Sequence, residues 1–256
     1  MNSAWHMSGA GNDFVVVDVR GKTLPLQEMA VRLCTLTGAD GFLALDTSET
    51  ADFRLHFYNA DGLRGEMCGN GARCVCKFAR DHGIVGEEMK IETDAGLIYG
   101  TCLGQDQYRV RLNLPGLVDL QRKEGCAYVE LGNPGLPHVV RQVTALDRET
   151  LRGEGVALRH DPAFPKGANV NFYTPLEENR VAMLTYERGV EDFTLACGTG
   201  SAAVAVVLWL TGRLPQGVLI AENTGGTLLV RLTARQGQIT ALDLEGPAET
   251  LSVLTV

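Results

Sequence analysis

Short hydrophobic runs broken by glycine-rich turns make up most of the chain, and only a few stretches have helical spacing. Residues 12–19 are β-branched and apolar and follow the turn Gly9-Ala10-Gly11, which predicts a buried strand. Apolar residues recur at helical spacing from Leu26 to Leu33, which predicts an amphipathic helix that ends near Gly38. Further strands of the first half are predicted at residues 42–45, 52–58, 90–93, 97–103 and 108–114.

Two longer apolar segments, 69–82 and 198–210, predict the main helices of the chain. The second is nearly free of charge on every face, a pattern typical of a helix buried on all sides. Residues 115–124 are predicted to cross between two halves. Because strands and helices do not alternate regularly, the pattern favours an α+β fold over a doubly wound sheet. Strands of the second half are predicted at 127–131, 138–143, 170–173, 180–186, 218–221, 227–232, 239–244 and 251–256, with a helical or loop region up to residue 158.

One motif occurs twice, with an offset of 129 residues. Cys68-Gly69-Asn70-Gly71 corresponds to Cys197-Gly198-Thr199-Gly200, and each copy opens one of the two helical segments. Both segments reach a glycine fifteen residues after the cysteine, Gly83 and Gly212. Repetition at a fixed offset indicates a duplicated unit. The sequence therefore predicts an α+β fold of two pseudo-symmetric halves, each a curled, mostly antiparallel sheet around a long central helix.

Composition and charge limit the classes of protein to which the chain can belong. Hydrophobic residues make up 45% and charged residues 21%, as in an ordinary globular enzyme. The net charge of −8 argues against a nucleic-acid or anionic-membrane partner. No stretch approaches the roughly 18 apolar residues of a membrane span, and the N-terminal residues lack the features of an export signal. Seven cysteines, an odd number in a chain of this length, favour the reducing cytoplasm.

A cysteine at the start of a helix can act as an acid or a base. The first turn offers up to four unpaired backbone N–H groups and the positive end of the helix dipole, which together hold a carboxylate. The same field lowers the pKa of a cysteine below its free value of about 8.5. Two such cysteines facing one another, one thiolate and one thiol, would invert a stereocentre without any cofactor. Cys68 and Cys197 are therefore the predicted catalytic pair.

The other cysteines and the histidines lack a comparable motif. Cys74 and Cys76 lie about 200° apart around their helix, so they cannot easily share a tetrahedral metal with Cys68. No cysteine or histidine pair has metal-ligand spacing, and no metal site is predicted. His138 is a candidate ligand contact, although a satisfied core or loop histidine fits the sequence nearly as well. The cysteines that we interpret as structural are Cys34, Cys74, Cys76, Cys102 and Cys126.

Six short motifs occur along the chain in a characteristic order. They are Gly9-Ala10-Gly11-Asn12-Asp13-Phe14, Asn59-Ala60-Asp61-Gly62, Met67-Cys68-Gly69-Asn70-Gly71-Ala72-Arg73, Ala168-Asn169-Val170-Asn171-Phe172, Tyr186-Glu187-Arg188-Gly189 and Ala196-Cys197-Gly198-Thr199-Gly200. In order and spacing they resemble the diaminopimelate epimerase family, and the resemblance runs from about Met7 to Pro247.

The resemblance implies an isomerase that needs no pyridoxal phosphate and converts LL- to meso-2,6-diaminopimelate, on the route to lysine and peptidoglycan. It also implies that the enzyme is commonly a homodimer and that the site lies between two halves. In family members the last strand returns to the first domain. The expected domains are therefore residues 1–115 together with about 248–256, and residues 116–247.

Carried over motif by motif, the resemblance also implies the roles of the site residues. Cys68 and Cys197 match the two bases. Backbone and side-chain donors hold the reacting α-carboxylate, an acidic side chain meets the reacting ammonium group, and Arg188 makes a bidentate pair with the distal carboxylate. The matching residues are Gly69, Asn70, Gly198 and Thr199 for the α-carboxylate, Glu187 for the ammonium group, and Asn12, Asn59, Asn169 and Arg188 for the distal end.

The chain departs from the family pattern at four places. Ser8 stands where the family often has histidine, and Leu63-Arg64 replaces a common serine–glutamate pair. Phe193 replaces an acidic residue near the second cysteine. The usual Gly-Asn-Pro-His is lengthened to a segment from Gly132 to His138, so Asn133 receives no role. These differences leave the two cysteine motifs unchanged.

Two other interpretations compete with a diaminopimelate epimerase. A two-cysteine racemase of another amino acid would keep Cys68 and Cys197 but would not need Arg188 together with Asn59 and Asn169. A non-catalytic binding or thiol-redox protein on the same fold would not need those three residues either. Exchange of a proton at the α-carbon of a substrate would distinguish both enzymes from the binding or redox protein.

Overall fold

The structure, a computed structural model, describes residues 3–65, 68–94 and 96–255. Helices and strands follow one another irregularly, which confirms the α+β class. The elements, in chain order, are β1 (Ser3–Gly9), β2 (Asn12–Asp18), α1 (Leu26–Thr37), β3 (Gly41–Asp46), β4 (Phe53–Asn59), α2 (Gly69–Asp81), β5 (Glu88–Thr93), β6 (Gly96–Gly104), β7 (Gln107–Arg111), β8 (Pro115–Lys123), β9 (Cys126–Gly132), β10 (Gly135–Gln142), α3 (Arg148–Arg159), β11 (Asn169–Glu177), β12 (Arg180–Glu187), β13 (Asp192–Phe193), α4 (Gly198–Leu210), β14 (Val218–Asn223), β15 (Gly226–Arg235), β16 (Gln238–Pro247) and β17 (Glu249–Thr255).

The chain divides into two compact units. Unit 1 consists of Met1–Arg111 and Glu245–Val256, and unit 2 consists of Leu112–Leu244. The last strand, β17, pairs antiparallel with β1 and so completes the sheet of unit 1. Of the segment predicted as the final strand, Val256 lies outside the described residues.

The sheet of unit 1 wraps around α2. β1 and β2 are antiparallel, β2 runs parallel to β3 across the connection that contains α1, and β3 is antiparallel to β4. β4 runs parallel to β5 across the connection that contains α2, and β6 and β7 continue antiparallel. Helical crossovers are what parallel neighbours require. Because α2 contacts strands from both ends of this order, β1 to β3 as well as β6 and β7, it is the centre of the unit.

Unit 2 repeats this order of strands and helices. β9 and β10 are antiparallel, β10 runs parallel to β11 across α3, and β11 is antiparallel to β12. β12 runs parallel to β14 across α4, and β15 continues antiparallel. α4 contacts β9, β10, β11 and β15, the counterparts of β1, β2, β3 and β6 that α2 contacts in unit 1, and it also contacts β14. The same connections in the same order confirm the predicted duplication.

Both central helices are mostly buried. α4 is buried from Gly198 to Leu208 except at half-buried Thr199, as its charge-free sequence predicts. α2 is buried from Gly69 to Cys76, a stretch that includes the charged Arg73. Both helices are followed by glycine in the left-handed region, Gly83 at φ 65° and Gly212 at φ 73°, where other residues would be strained.

One local prediction needs correction, and one strand was not predicted. Residues 115–124 were expected to form a plain crossing, whereas Pro115–Lys123 forms β8, which pairs antiparallel with β9. Its charged and exposed residues hid the strand, because none of them is buried and most are exposed. β1 was not predicted, because Trp5, His6 and Ser8 interrupt its hydrophobic alternation.

Candidate active site

Cys68 lies at the start of α2, at the end of the loop that leaves β4. It is the N-cap residue, with extended backbone (φ −124°, ψ 119°), and its side chain is half-buried. The glycine turn before β2 packs directly on this first helical turn, since a Cβ on Gly9 would lie 2.6 Å from the carbonyl oxygen of Asn70. Glycine is therefore required there for the close approach of two backbones.

Four polar side chains of unit 1 are joined by hydrogen bonds, beginning in the helix that Cys68 opens. Arg73 donates to the side-chain oxygen of Asn70 over 3.0 Å, and the Asn70 amide nitrogen donates to the side-chain oxygen of Asn12 over 2.8 Å. Asn12 in turn donates to Asp40 over 3.2 Å. The structure thus brings together the predicted site residues Cys68, Gly69, Asn70 and Asn12 in unit 1.

Arg73 is a fully buried cation. Its other hydrogen bonds go to the carbonyl oxygens of Gly69 and Pro247, both over 3.2 Å, so all three of these acceptors are neutral. Burial lowers the pKa of this guanidinium, and the neighbouring thiols of Cys74 and Cys68 oppose that shift. An arginine side chain nevertheless remains protonated at neutral pH, so a positive charge is fixed beneath the first turn of α2.

The predicted site residue Asn59 ends β4 and is exposed. The loop that follows folds back on β4, with Asn59 N–H donating to the carbonyl of Leu63 over 2.8 Å. Arg64 makes an ion pair with Asp94, donates to Tyr58 and lies over its ring at 5.3 Å. The reversed charge at Arg64 is therefore compensated by its own neighbours, while Leu63 is exposed. Glu66 and Met67, which complete the loop and the predicted motif, lie outside the described residues.

Cys197 occupies the matching position at the start of α4. Its backbone is also extended (φ −121°, ψ 106°), but its side chain is buried. The sulfur accepts the backbone N–H of Gly200 at 3.3 Å, and the hydroxyl of Thr199 lies 3.6 Å from it. Hydrogen bonds to sulfur favour the thiolate form over the thiol.

Asn171 lies beneath the first turn of α4 and connects it to β10. Its side-chain oxygen accepts from Thr185 at 3.0 Å, and its nitrogen donates to the carbonyl of Val139 at 2.9 Å. The same nitrogen lies 3.3 Å from Nδ1 of His138. Because the Asn171 oxygen accepts the hydrogen bond from Thr185, the Asn171 nitrogen is the atom that lies next to His138, and it donates to that ring. Nδ1 of His138 is therefore an acceptor, and Nε2 carries the proton.

His138 is fully buried and neutral. Burial lowers its pKa from 6.5 to about 3, and the positive charge of Arg188 acts in the same direction. Nε2 has no hydrogen-bond partner among residues 3–65, 68–94 and 96–255. A buried donor without a protein partner is costly, so this N–H is suited to a ligand.

The remaining predicted residues of unit 2 surround the end of β12. Asn169, buried at the start of β11, accepts the backbone N–H of Arg188 over 2.8 Å. Glu187 is half-buried and accepts from the Thr194 hydroxyl over 2.8 Å. The exposed Arg188 side chain donates to the carbonyl of Lys166. Its positive charge adds to the effect of burial in lowering the pKa of His138.

The other residues at which the chain departs from the family pattern lie in a turn, in the core and on the surface. The Ser8 hydroxyl donates to the backbone oxygen of Asn12 over 3.5 Å, at the turn between β1 and β2. Phe193 is a core residue that packs edge-on against Tyr186. Asn133 is exposed in the turn between β9 and β10.

Four of the five cysteines outside the two motifs are buried. Burial raises the pKa of Cys34 to about 11 and that of Cys76 to about 12, and raises the pKa values of Cys74 and Cys126 as well. Cys102 is half-buried. Across the described ranges no group of three or more histidine, cysteine or acidic side chains could hold a metal ion. No helix among those residues is long and apolar enough to cross a membrane.

Sequence reasoning missed four residues that hold the predicted ones in place. Asp40, Asn171 and Thr194 each bond a predicted site residue or its neighbour directly, and Arg73 bonds Asn70. Two of them, Arg73 and Asn171, stand inside motifs that the sequence singles out. Asp40 also had a signal, since the offset of 129 residues matches it to Asn169. Thr194 gave none.

Comparison with known proteins agrees with these motifs. A family profile described as diaminopimelate epimerase matches residues 4–114 and 131–250. A diaminopimelate epimerase of Chlorobaculum tepidum is 38% identical over 250 residues, which cover 94% of this chain and 96% of that protein. One of Aquifex aeolicus is 38% identical over 244 residues, which cover 88% of each.

Solved structures with this fold have much lower identity. A phenazine biosynthesis protein of the PhzF family from Bacillus anthracis superimposes with a TM-score of 0.75 at 16% identity. The match covers 100% of this chain and 98% of that one. At this identity the likeness supports the fold alone.

Proposed function

The chain belongs to the diaminopimelate epimerase family, and from that membership we propose that it interconverts LL- and meso-2,6-diaminopimelate without a cofactor. The observation that supports this best is the pair of cysteine motifs. Cys68 and Cys197 are N-cap residues of matching helices with nearly the same backbone angles. Each unit therefore contributes one cysteine next to a set of backbone N–H donors.

In the proposed reaction one sulfur removes the α-proton of the substrate as a thiolate. The other sulfur, as a thiol, delivers a proton to the opposite face of the same carbon, and the configuration inverts. The reverse reaction exchanges the two roles. The electron pair left by the departing proton spreads toward the α-carboxylate, where the N–H groups of both first helical turns would stabilise it. Gly69, Asn70, Gly198 and Thr199 are the proposed donors.

Each end of the substrate carries one ammonium group and one carboxylate group, and the other site residues would recognise these charges. We assign the reacting ammonium group to Glu187, whose carboxylate is already oriented by Thr194. The distal amino-acid end is assigned to Asn12, Asn59, Asn169 and Arg188, with Arg188 paired to the carboxylate. The Nε2–H of His138 is a further donor for the ligand, since it is buried and neutral.

The test is turnover of LL-diaminopimelate by the purified protein, followed by chromatographic separation of the stereoisomers. We expect the wild type to form the meso isomer, and Cys68→Ala and Cys197→Ala each to lose at least about a thousandfold in rate. Cys102→Ala is the matched control, because this half-buried thiol lies outside both motifs and should leave the rate unchanged.

Two outcomes would direct attention to the competing interpretations. Inversion of another amino acid but not of diaminopimelate, still dependent on both cysteines, would indicate a racemase of that amino acid. No proton exchange with any amino acid would indicate the binding or thiol-redox protein. The pattern of single-cysteine variants separates these cases from simple misfolding, provided that circular dichroism remains native.

The same proposal extends to the setting of the enzyme. A place on the route to lysine and peptidoglycan precursors, a cytoplasmic location and a homodimeric state are parts of it. The cysteines support a reducing compartment, since all seven are free thiols. Light scattering of the purified protein would test the homodimer directly.

A further inference from the structure

Four polar side chains in unit 1 form a continuous row between two opposite charges. The row runs from the guanidinium of Arg73 through Asn70 and Asn12 to the carboxylate of Asp40, with hydrogen bonds of 3.0, 2.8 and 3.2 Å. Arg73 is fully buried, Asn70 is buried, Asn12 is half-buried and Asp40 is exposed. The row therefore connects the interior of the unit to its surface.

The charges at the two ends dictate how both amides are turned. A guanidinium can only donate hydrogen bonds, so the oxygen of Asn70 must face Arg73. The nitrogen of Asn70 then faces Asn12, whose oxygen accepts from it. An ionised carboxylate can only accept, so the nitrogen of Asn12 must face Asp40. Turning either amide over would set like groups against each other at two contacts, and the row would lose both hydrogen bonds.

We propose that Arg73 and Asp40 are positioning residues, which orient the amides of Asn70 and Asn12 so that Asn12 presents an N–H donor to a carboxylate of the substrate. The proposal rests on the proposed function, in which both asparagines contact the substrate. The oxygens of both amides accept hydrogen bonds within the row. The second N–H of half-buried Asn12 makes none of the hydrogen bonds of the row, and we assign it to the substrate. An N–H donor at this place favours a carboxylate over an ammonium group, and so fixes the direction in which a zwitterionic substrate binds.

The duplicated unit lacks this row, which argues that it is not simply part of the fold. The offset of 129 residues places Thr199 where unit 1 has Asn70, and Ala202 where it has Arg73. Asn169 stands at the position that corresponds to Asp40, and its side-chain oxygen accepts the backbone N–H of Arg188. Ala202 is buried within α4, so the same helical position is compatible with a plain apolar residue.

A buried arginine at that helical position is energetically unfavourable. Removing a cation from water is unfavourable, and the three groups that accept hydrogen bonds from Arg73 are neutral. A role in stability alone would be served by a small apolar side chain, as in the other unit. The charge is explained if the direction of the Asn70 amide matters to the reaction.

The first experiment acts on the exposed end of the row, where folding is least at risk. Asp40→Ala removes the acceptor of Asn12 and also that of the Asp13 backbone N–H, which bonds the same carboxylate oxygen over 3.0 Å. We expect the KM for LL-diaminopimelate to rise about tenfold, with kcat changed less than about threefold, because a binding contact is lost rather than a base. Asp40→Asn keeps an acceptor oxygen and should restore most of the affinity.

The matched control is Asp119→Ala in unit 2. Asp119 is also a partly exposed aspartate whose carboxylate accepts a nearby backbone N–H, that of Gln121 over 3.1 Å. It should leave both kinetic constants unchanged. An unchanged KM in Asp40→Ala, or a loss in Asp40→Asn as large as in Asp40→Ala, would overturn the proposal.

A second measurement tests the row without using activity. The side-chain amide signals of Asn12 and Asn70 can be followed by NMR in the wild type, Asp40→Ala and Asp119→Ala. Because the amides are coupled along the row, we expect Asp40→Ala to shift the signals of both, including Asn70 two hydrogen bonds away. Asn70 signals that stay in place would overturn the proposal. A wild type that does not act on diaminopimelate would instead overturn the proposed function, and the NMR result would still decide whether the row exists.

Discussion

The first turns of α2 and α4 have the same backbone and different surroundings. Cys68 and Cys197 are both extended N-cap residues before a helix of 13 residues. In unit 2 the sulfur is buried and accepts a backbone N–H from its own helical turn. In unit 1 the sulfur is half-buried, and a buried arginine stands in the next turn of the helix. The duplication kept the shape of the turn, whereas the side chains around it differ between the two units.

This difference suits a reaction that needs two unlike partners. Inversion by two bases requires one thiolate and one thiol at any moment, and different surroundings can favour one arrangement of the shared proton over the other. A fixed cation near Cys68 and hydrogen bonds at Cys197 provide separate ways to tune each sulfur. The following predictions test how far the two turns differ.

The largest expected difference comes from the second glycine of each motif. A Cβ at Gly200 would lie 2.0 Å from the Asn171 oxygen, whereas one at Gly71 would lie 3.3 Å from a methyl group of Leu43. Asn171 is held by several hydrogen bonds and cannot yield. We expect Gly200→Ala to lower the free energy of unfolding by about 2–3 kcal/mol. Gly71→Ala should change it by less than about 1 kcal/mol, because alanine favours the helix. Urea denaturation of both variants measures this, and equal losses would contradict the account of α4.

A smaller effect is expected when the buried charge is removed. Arg73→Met should slow alkylation of Cys68 by iodoacetamide at pH 7 about tenfold, because a nearby cation favours the thiolate. Cys197 in the same molecules is the internal control and should react as before. Arg73→Lys keeps the charge and should recover part of the rate. Mass spectrometry of the two peptides gives both rates, and an unchanged rate at Cys68 would remove Arg73 from the description of that sulfur.

The buried histidine gives unit 2 a pH dependence of its own. The pKa of His138 is lowered to about 3 in the folded protein by burial, whereas the unfolded chain has the ordinary value of about 6.5. Between these values the unfolded state binds the additional proton, so stability falls as the pH falls below 6.5. His138→Gln should remove about 1 kcal/mol of the loss between pH 6.5 and 5.5. Parallel curves for variant and wild type would show that His138 is not responsible.

The smallest expected effect concerns the hydroxyl next to Cys197. Thr199→Val removes a group 3.6 Å from the sulfur but keeps the side-chain shape. We expect alkylation of Cys197 to slow by about threefold and that of Cys68 to stay the same. If Thr199→Val slowed alkylation of Cys197 more than Arg73→Met slowed alkylation of Cys68, the predicted order of the two effects would be wrong.

Much of the fold followed from local pattern and from the repeat. The charge-free sequence of α4 predicted its burial, and Gly38 predicted the end of α1, where it adopts φ 75°. β1 and β8 escaped prediction because their residues alternate poorly. Pairing decides their structure, since β1 pairs with the distant strand β17 and β8 pairs with its neighbour β9.

The site could be predicted only as far as motifs reached. The two cysteines and their neighbours stand in contiguous motifs, so their location at helix starts could be read from the sequence. The contacts that orient them join residues far apart in the chain, such as Asn12 with Asp40 and Asn70. The neutrality of His138 depends on complete burial, which a single residue in a sequence does not reveal.

The central claim is that Cys68 and Cys197 act as two separate bases on one carbon. LL-diaminopimelate converted in deuterated water and stopped early tests this most directly. We predict that the meso isomer formed carries deuterium at the inverted carbon, while the LL isomer that remains still carries hydrogen, because each sulfur serves one face. Meso product that retains its original hydrogen would mean that one group carries the proton across, and would contradict the account.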